Sequence, residues 1–541
     1  MGISTIINIV EVSVNMISRN LITRIGLFLG PFLFIIVIFL PLPQIDELSI
    51  EARVVLAATL WMAVWWITET VPIYVTALLP LIIFPSLHVT SFTETSFNYA
   101  DPIIFLFLGG FLLAKAVEKS NLHKRFAFNI LNLFGTNPKY IVAAFMLVTW
   151  LLGAWMSNTA TAILMLPIAL AVISLLDNVE RHSKFVVCLL LSVAYSASIG
   201  GVTTLIGTPP NAIFASLANS IAGVDVTFSQ WLLLGLPIGG ISLFVVWLYM
   251  IRFGSKITDI NSDVIGDKNV IRKKLGELGH ISRDEKLVAI VFILTAAAWI
   301  TRGLIWKDIL PVVDDSMIAI ASAILLFLIP STSSSSSSSS GKENLKGSKL
   351  EHPSNIMNRM SSNGNQDNDN HKNNKNNAIS NTSSRLLDWN TAVTIPWGVL
   401  ILIGGGLALA NGFTSTGLGD WIAGQLSFLG GANYIIIILV LVTLAILPTE
   451  MISNTATAAL LLPISASLAT SMGINPVLFM APVAIATSYG FIMPVGTPPN
   501  AIVYSSGYIS MAKMARAGIP LDFISIVMVT ILTTILVPLV F

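Results

Sequence analysis

Apolar stretches long enough to cross a bilayer recur along this chain, parted by short polar breaks. A helix needs about 20 apolar residues to cross roughly 30 Å of hydrocarbon. On that measure spans are expected at 25–43, 52–69, 71–87 and 101–118. His123-Lys124-Arg125 then opens an amphipathic stretch to 136, the pattern of a helix lying along the interface. Residues 140–176 form an apolar unit broken at Ser157-Asn158, and 184–222 form another, broken at Gly200-Gly201 and from Gly207 to Asn211. Spans at 229–251, 286–305 and 316–330 follow. The order then repeats: a span at 392–412, an interfacial stretch at 416–428, broken units at 434–472 and 476–515, and a last span at 521–541.

The two pairs of broken units share more than hydropathy. Ser157-Asn158-Thr159-Ala160-Thr161-Ala162 returns as Ser453-Asn454-Thr455-Ala456-Thr457-Ala458, and 10 of the 12 positions from Ser157 to Ile168 are identical in the second copy. Gly207-Thr208-Pro209-Pro210-Asn211-Ala212-Ile213 returns without a change at 496–502. Low complexity does not place two ordered motifs twice in the same order, so the chain carries an internal duplication.

Composition places this pattern in a membrane. Of 541 residues, 54% are hydrophobic and 11% charged, and the mean hydropathy is +0.81, which fits an all-α polytopic membrane protein. Each Ser-Asn-Thr unit could be two crossings or a hairpin that dips halfway and returns, and the charges favour the hairpin. With hairpins and a cytoplasmic N-terminus, 26 of the 29 Lys and Arg residues fall on the inner side, leaving Arg53, Arg302 and Lys307 outside or at the outer rim. The C-terminus then lies outside. Five crossings separate the hairpins, so the two enter from opposite faces, as the inverted repeats of secondary transporters do. The expected fold is about 11 transmembrane spans with two re-entrant hairpins in two inverted repeats.

The expected units are a cytoplasmic lead-in at 1–24, without a cleavage site; a first span and outer loop at 25–50; repeat one at 51–252; a cytoplasmic linker at 253–285; and repeat two at 286–541. The second repeat is interrupted at 331–386, where Ser and Asn dominate and nothing can form a core, the composition of a disordered cytoplasmic loop. The single cysteine, Cys188, excludes an intrachain disulfide, and the six histidines show no metal-ligand spacing. No nucleophile–His–acid arrangement is present, so an enzyme is not expected.

The duplicated motifs carry the chemistry. Pro209-Pro210 and Pro498-Pro499 remove consecutive amide donors and, with the flanking glycines, should unwind the backbone. Irregular backbone at membrane depth survives where it is buried in protein or lines a polar cavity. Freed carbonyls suit a small hard cation, and helix N-termini at the breaks suit an anion. Asn158 and Asn454 offer both an amide oxygen and an NH₂, while Thr159, Thr208, Thr455 and Thr497 offer hydroxyls. Neither motif contains a charged residue, so a dianion bound there needs a co-bound cation. Glu450, matched in the first half by Ala154, reads either as a fastening for the hairpin tip or as a proton-coupling group.

At these residues the chain resembles the divalent anion/sodium symporter family, the INDY-like dicarboxylate, citrate and sulfate transporters. The resemblance extends to Trp65-Trp66-Ile67-Thr68-Glu69-Thr70-Val71-Pro72 with Thr76-Ala77-Leu78-Leu79-Pro80, and to Ile395-Pro396-Trp397-Gly398 with Gly404-Gly405-Gly406. It implies an elevator-type transporter, a homodimer whose protomers each carry both hairpins on a mobile domain. By position, one sodium site would use Gly153, Ser157, Asn158 and Gly207, and the other Thr449, Ser453, Asn454 and Gly496. The anion would be held by Asn158, Thr159, Thr208, Asn454, Thr455, Thr497 and Pro498. The expected activity is sodium-coupled symport of a small divalent anion, with C4-dicarboxylates such as succinate or malate ranked first. A sodium-independent exchanger of the same fold and a sulfate, phosphate or citrate carrier are the alternatives. With no organellar address, the plasma membrane is taken as the location.

Overall fold

The structure, a computed structural model, describes residues 3–40, 48–134, 137–174, 183–254, 269–307, 309–332, 385–425 and 433–541, and every regular element among them is a helix. The core of the Ser/Asn-rich loop, 333–384, lies outside the described residues. Helix α1 (Ile3–Phe39) runs straight through the expected boundary at residue 24, so the described part of the lead-in continues into the first span instead of standing apart. It packs along α2 (Ile50–Thr68), where Gly26 and Gly30 present no side chain and Trp65 Nε1 donates to the Gly26 carbonyl at 3.1 Å.

The expected span at 71–87 is not continuous. It is α3 (Ile73–Thr76) and α4 (Leu79–Ser86), two short pieces. Pro80 is the cause, since its ring would collide with the carbonyl four residues back, at Thr76, and α3 ends there. Helices α5 (Phe92–Phe97), α6 (Pro102–Lys119) and α7 (Leu122–Leu133) follow. The amphipathic α7 is the expected interfacial helix, and Arg125 at its start pairs with buried Glu285 at 3.0 Å.

The first hairpin is α8 (Pro138–Gly153) and α9 (Asn158–Ile173), and the broken unit after it is α10 (Ser183–Thr203) and α11 (Pro209–Ala222). Gly200-Gly201 does not break α10. A Cβ at Gly200 would stand 2.5 Å from the Trp150 carbonyl and 3.0 Å from the Gly153 Cα, so these glycines let two backbones touch. Then come α12 (Phe228–Tyr249), α13 (Asn269–Glu277), α14 (Arg283–Thr301) and α15 (Asp315–Leu328). After the loop come α16 (Trp389–Ala392), α17 (Trp397–Ser415) and α18 (Leu418–Gln425). The second hairpin is α19 (Tyr434–Thr449) and α20 (Asn454–Ser471), followed by α21 (Val477–Ala486), α22 (Pro498–Tyr504) and α23 (Met511–Val540). The last span therefore begins at Met511, not 521, with Ser510 capping it, and Lys513 and Arg516 sit on its first turns.

Eight helices among the described residues are long and apolar enough to cross a membrane. The leading arms of the hairpins are not: α8 and α19 have 16 residues each, about 24 Å of helix against roughly 30 Å of hydrocarbon. That shortfall is what a re-entrant hairpin requires. At the centre, α10 is buried from Phe185 to Thr203, enclosed by α8, α9, α12 and α22.

Candidate functional site

Each hairpin tip is a stop and a restart. In the first half α8 ends at Gly153, and Ser157 caps the restart, its hydroxyl accepting the Ala160 N–H at 3.3 Å. Asn158 is the first residue of α9, and its side-chain amide lies on Gly201, where a Cβ would stand 2.6 Å from Oδ1 and 3.0 Å from Nδ2. The Asn158 Oδ1 is buried and has no hydrogen-bond donor. A buried amide oxygen left unpaired costs about 1–3 kcal/mol, which leaves Asn158 Oδ1 open to a ligand, as is the equally donor-free Asn211 Oδ1.

The break after α10 is held against this tip. Asn211 Nδ2 donates to the Gly201 carbonyl at 3.0 Å and the Thr204 carbonyl at 2.8 Å, closing the unwound 204–208 loop on itself. Thr204 in turn donates its hydroxyl to the Ala154 carbonyl. Gly207 rests on Gly201, where a Cβ would stand 2.9 Å from the Gly201 Cα. Thr208 is buried at the start of α11.

The second half repeats the fastening of the break and differs around it. Asn500 Nδ2 donates to the Gly490 and Met493 carbonyls, each at 3.0 Å, as Asn211 does to their counterparts. The Asn454 Oδ1 is buried without a donor, like that of Asn158. Ser453 precedes α20 without using its side chain as a cap, and Thr449, fully buried, donates its hydroxyl to the Ile446 carbonyl at 2.7 Å. Thr455 and Thr497 are buried, whereas Pro498 is exposed at the first turn of α22. A further difference is Glu450. Its Oε1 accepts the Ile492 N–H at 3.0 Å and its Oε2 the Met493 N–H at 2.7 Å, contacts that fit the fastening reading, one of the two open for it in the sequence. Glu450→Ala would orphan both amides, each costing about 1–3 kcal/mol. Thermal unfolding of the detergent-purified protein should show Glu450→Ala far less stable than Glu450→Gln, which keeps one acceptor oxygen.

The halves meet crosswise: α9 packs along α22 and α20 along α11. Gly406 of α17 lies against both Ala459 of α20 and Ile213 of α11. The expected residues of both hairpins and both breaks therefore sit on one contiguous body. Beside the first tip a cavity of about 790 Å³ reaches Met156 and Ala160, with Lys115, Lys124 and Lys274 among its lining. Sequence reasoning missed Asn211 and Asn500 as the fastenings of the two breaks, although both lie in the duplicated motif. It also missed Asp522, an acid in the apolar run of α23, which is itself a signal. The Asp522 Oδ1 accepts the Phe491 N–H at 3.2 Å.

Comparison with known proteins identifies relatives of the whole chain. The profile described as "sodium:sulfate symporter transmembrane region" matches residues 23–541. A sodium-dependent dicarboxylate transporter, SdcS, of Staphylococcus saprophyticus is 40% identical over 530 residues, covering 96% of this chain and 92% of the relative. The SdcS of Staphylococcus aureus strain USA300 is 37% identical over 525 residues, covering 95% and 91%. The crystal structure of the Alcanivorax borkumensis YdaH transporter shares the fold, with a TM-score of 0.54 at 12% identity over 89% of this chain and 98% of that one.

Proposed function

We infer from one premise, that this chain belongs to the sodium:sulfate symporter family of multi-pass membrane transporters, that it couples entry of sodium to uptake of a small dianion. A C4-dicarboxylate such as succinate is the proposed substrate, in keeping with the dicarboxylate named for the two Staphylococcus relatives. The observation that carries the reading is the pair of buried, donor-free amide oxygens, Asn158 Oδ1 and Asn454 Oδ1, one at each hairpin tip. Oxygen ligands suit sodium, so Ser157 and Asn158 with the backbone of Gly153 and Gly207, and Thr449, Ser453 and Asn454 with the backbone of Gly496, are the proposed cation shells. The same asparagines present NH₂ groups. With the hydroxyls of Thr159, Thr208, Thr455 and Thr497, and the chain at Pro498, they are the proposed carboxylate clasp. No fixed positive charge stands in either motif, so the co-bound sodium ions neutralise the dianion.

In this reading the repeats at 51–252 and 286–541 together build a fixed scaffold and an elevator body carrying both hairpins. The protein acts as a homodimer in the plasma membrane, with its N-terminus cytoplasmic and its C-terminus outside. An inward charge movement is driven by about 2.3 kcal/mol per net charge per 100 mV. The deciding experiment is labelled succinate uptake into proteoliposomes, with an inward sodium gradient and then with choline in its place. Uptake should require sodium. Uptake that ignores sodium but needs internal dicarboxylate would establish exchange instead.

A further inference from the structure

The two breaks differ in how much backbone they expose. In the first half α10 stays helical through Thr203, and five residues, 204–208, separate it from α11. In the second half α21 ends at Ala486, and 487–497 run without helix to Pro498. The longer break leaves three consecutive amides, of Phe491, Ile492 and Met493, outside any helix in the protein interior. Such donors must find acceptors. Glu450 takes two of them, and Asp522 takes the third.

The final helix is shaped for this contact. Gly518 and Asp522 lie one turn apart on the same face of α23. Gly518 sits against the Phe491–Ile492 peptide so closely that a Cβ there would overlap the Phe491 carbonyl. The same peptide is gripped from its other side by α10, whose Tyr195 hydroxyl donates to the Phe491 carbonyl at 3.0 Å. Asp522 is 2% exposed. Among the described residues no carboxylate takes this part in the first half. There the helical Val202 occupies the place of Phe491, and α12 answers with a donor, Trp231 Nε1, to the Val202 carbonyl at 2.9 Å.

The clamped peptides lie between Gly490 and Gly496, two glycines that border the proposed second cation shell. A Cβ on Gly490 would stand 3.5 Å from Thr449 Oγ1, and one on Gly496 would stand 3.0 Å from Glu450 Oε2. The clamp at 491–493 therefore sets where both glycines sit relative to Thr449. We propose that Asp522 is a positioning residue for the second-half sodium site, acting through the Phe491–Met493 backbone. This rests on the sodium reading above and names a residue that supports one of its two sites and not the other.

The test compares Asp522→Ala, which removes the acceptor, with Asp522→Asn, which keeps an oxygen for the Phe491 N–H. Two readouts are needed: the rise in Tm that sodium gives the purified protein without any anion, and the sodium concentration for half-maximal succinate uptake. Asp522→Ala should shrink the sodium-induced rise and raise the half-maximal concentration roughly tenfold, the effect of one lost hydrogen bond on an equilibrium. Asp522→Asn should restore most of both. A lowered Tm in Asp522→Ala with the sodium response intact overturns the proposal, because it shows a merely structural role. Equal effects of Ala and Asn overturn it too. Should Asp522→Ala not fold, hydrogen exchange in the wild type decides: sodium must slow exchange across 490–496, and no change there refutes the coupling. A wild type indifferent to sodium in every assay refutes the transport reading itself, whereas a sodium-responsive wild type matched by Asp522→Ala refutes only the role of Asp522.

Discussion

Asn158→Ala and Asn454→Ala are each expected to cut sodium-driven succinate uptake by one to two orders of magnitude while leaving folded protein that elutes as the wild type does. Each amide oxygen is buried and lacks a donor, so its removal leaves no protein partner stranded. In the proposed site the cost falls on the ligand, where a hydrogen bond to a charged group contributes about 1.5–3 kcal/mol, and there the same side chain is assigned to both cation and anion. Asn211→Ala and Asn500→Ala are the contrast, since those side chains fasten the breaks and their loss strands carbonyls within the protein. Uptake per reconstituted protein, set beside thermal unfolding, separates the two classes. Near-normal uptake in both Asn158→Ala and Asn454→Ala would remove the site from the hairpin tips.

The second large effect is expected at Gly207. An added methyl would overlap the Gly201 carbonyl and stand 2.9 Å from its Cα. That carbonyl also accepts from Asn211, so the methyl presses on backbone that is already held in place. Overpacking alone costs about 1–3 kcal/mol, and the displaced loop would lose the Asn211 bonds as well. Gly207→Ala should therefore abolish uptake and lower Tm sharply. Gly496→Ala, at the same place in the second half, meets Glu450 Oε2 at 3.0 Å and the Glu450 backbone at 3.2 and 3.3 Å, tight contacts rather than an overlap, and should be milder. The order Gly207→Ala worse than Gly496→Ala is read from paired Tm and uptake measurements. The reverse order would mean that the first break is not held as described.

The duplication explains why so much of the architecture is legible in the amino-acid sequence. Two identical seven-residue motifs and two Ser-Asn-Thr tips place the hairpins to within a few residues, because helix restarts need caps and prolines that leave marks in sequence. Glycine is the weaker guide. Gly200-Gly201 reads as a break by composition, yet it is a place where helices touch, and only the position of α8 distinguishes the two. The split at Thr76 follows from Pro80 but is masked by the unbroken hydropathy around it. Asp522 is hidden by distance along the chain, since it reaches the second break only because α23 folds back beside α21.

The burial of α10 has a consequence for how the protein is made. Synthesis delivers α10 to the bilayer before α21, α22 and α23 exist. α8 and α9 are already there to cover part of it, but the face that α12 and α22 later take must first meet lipid. Its Ser192, Ser196 and Ser198, and the Tyr195 whose partner is Phe491, then wait in hydrocarbon for the rest of the chain. Ribosomes stalled or messages truncated before the last helix would thus yield a half-protein with its most polar face turned to the membrane, a ready substrate for quality-control proteases.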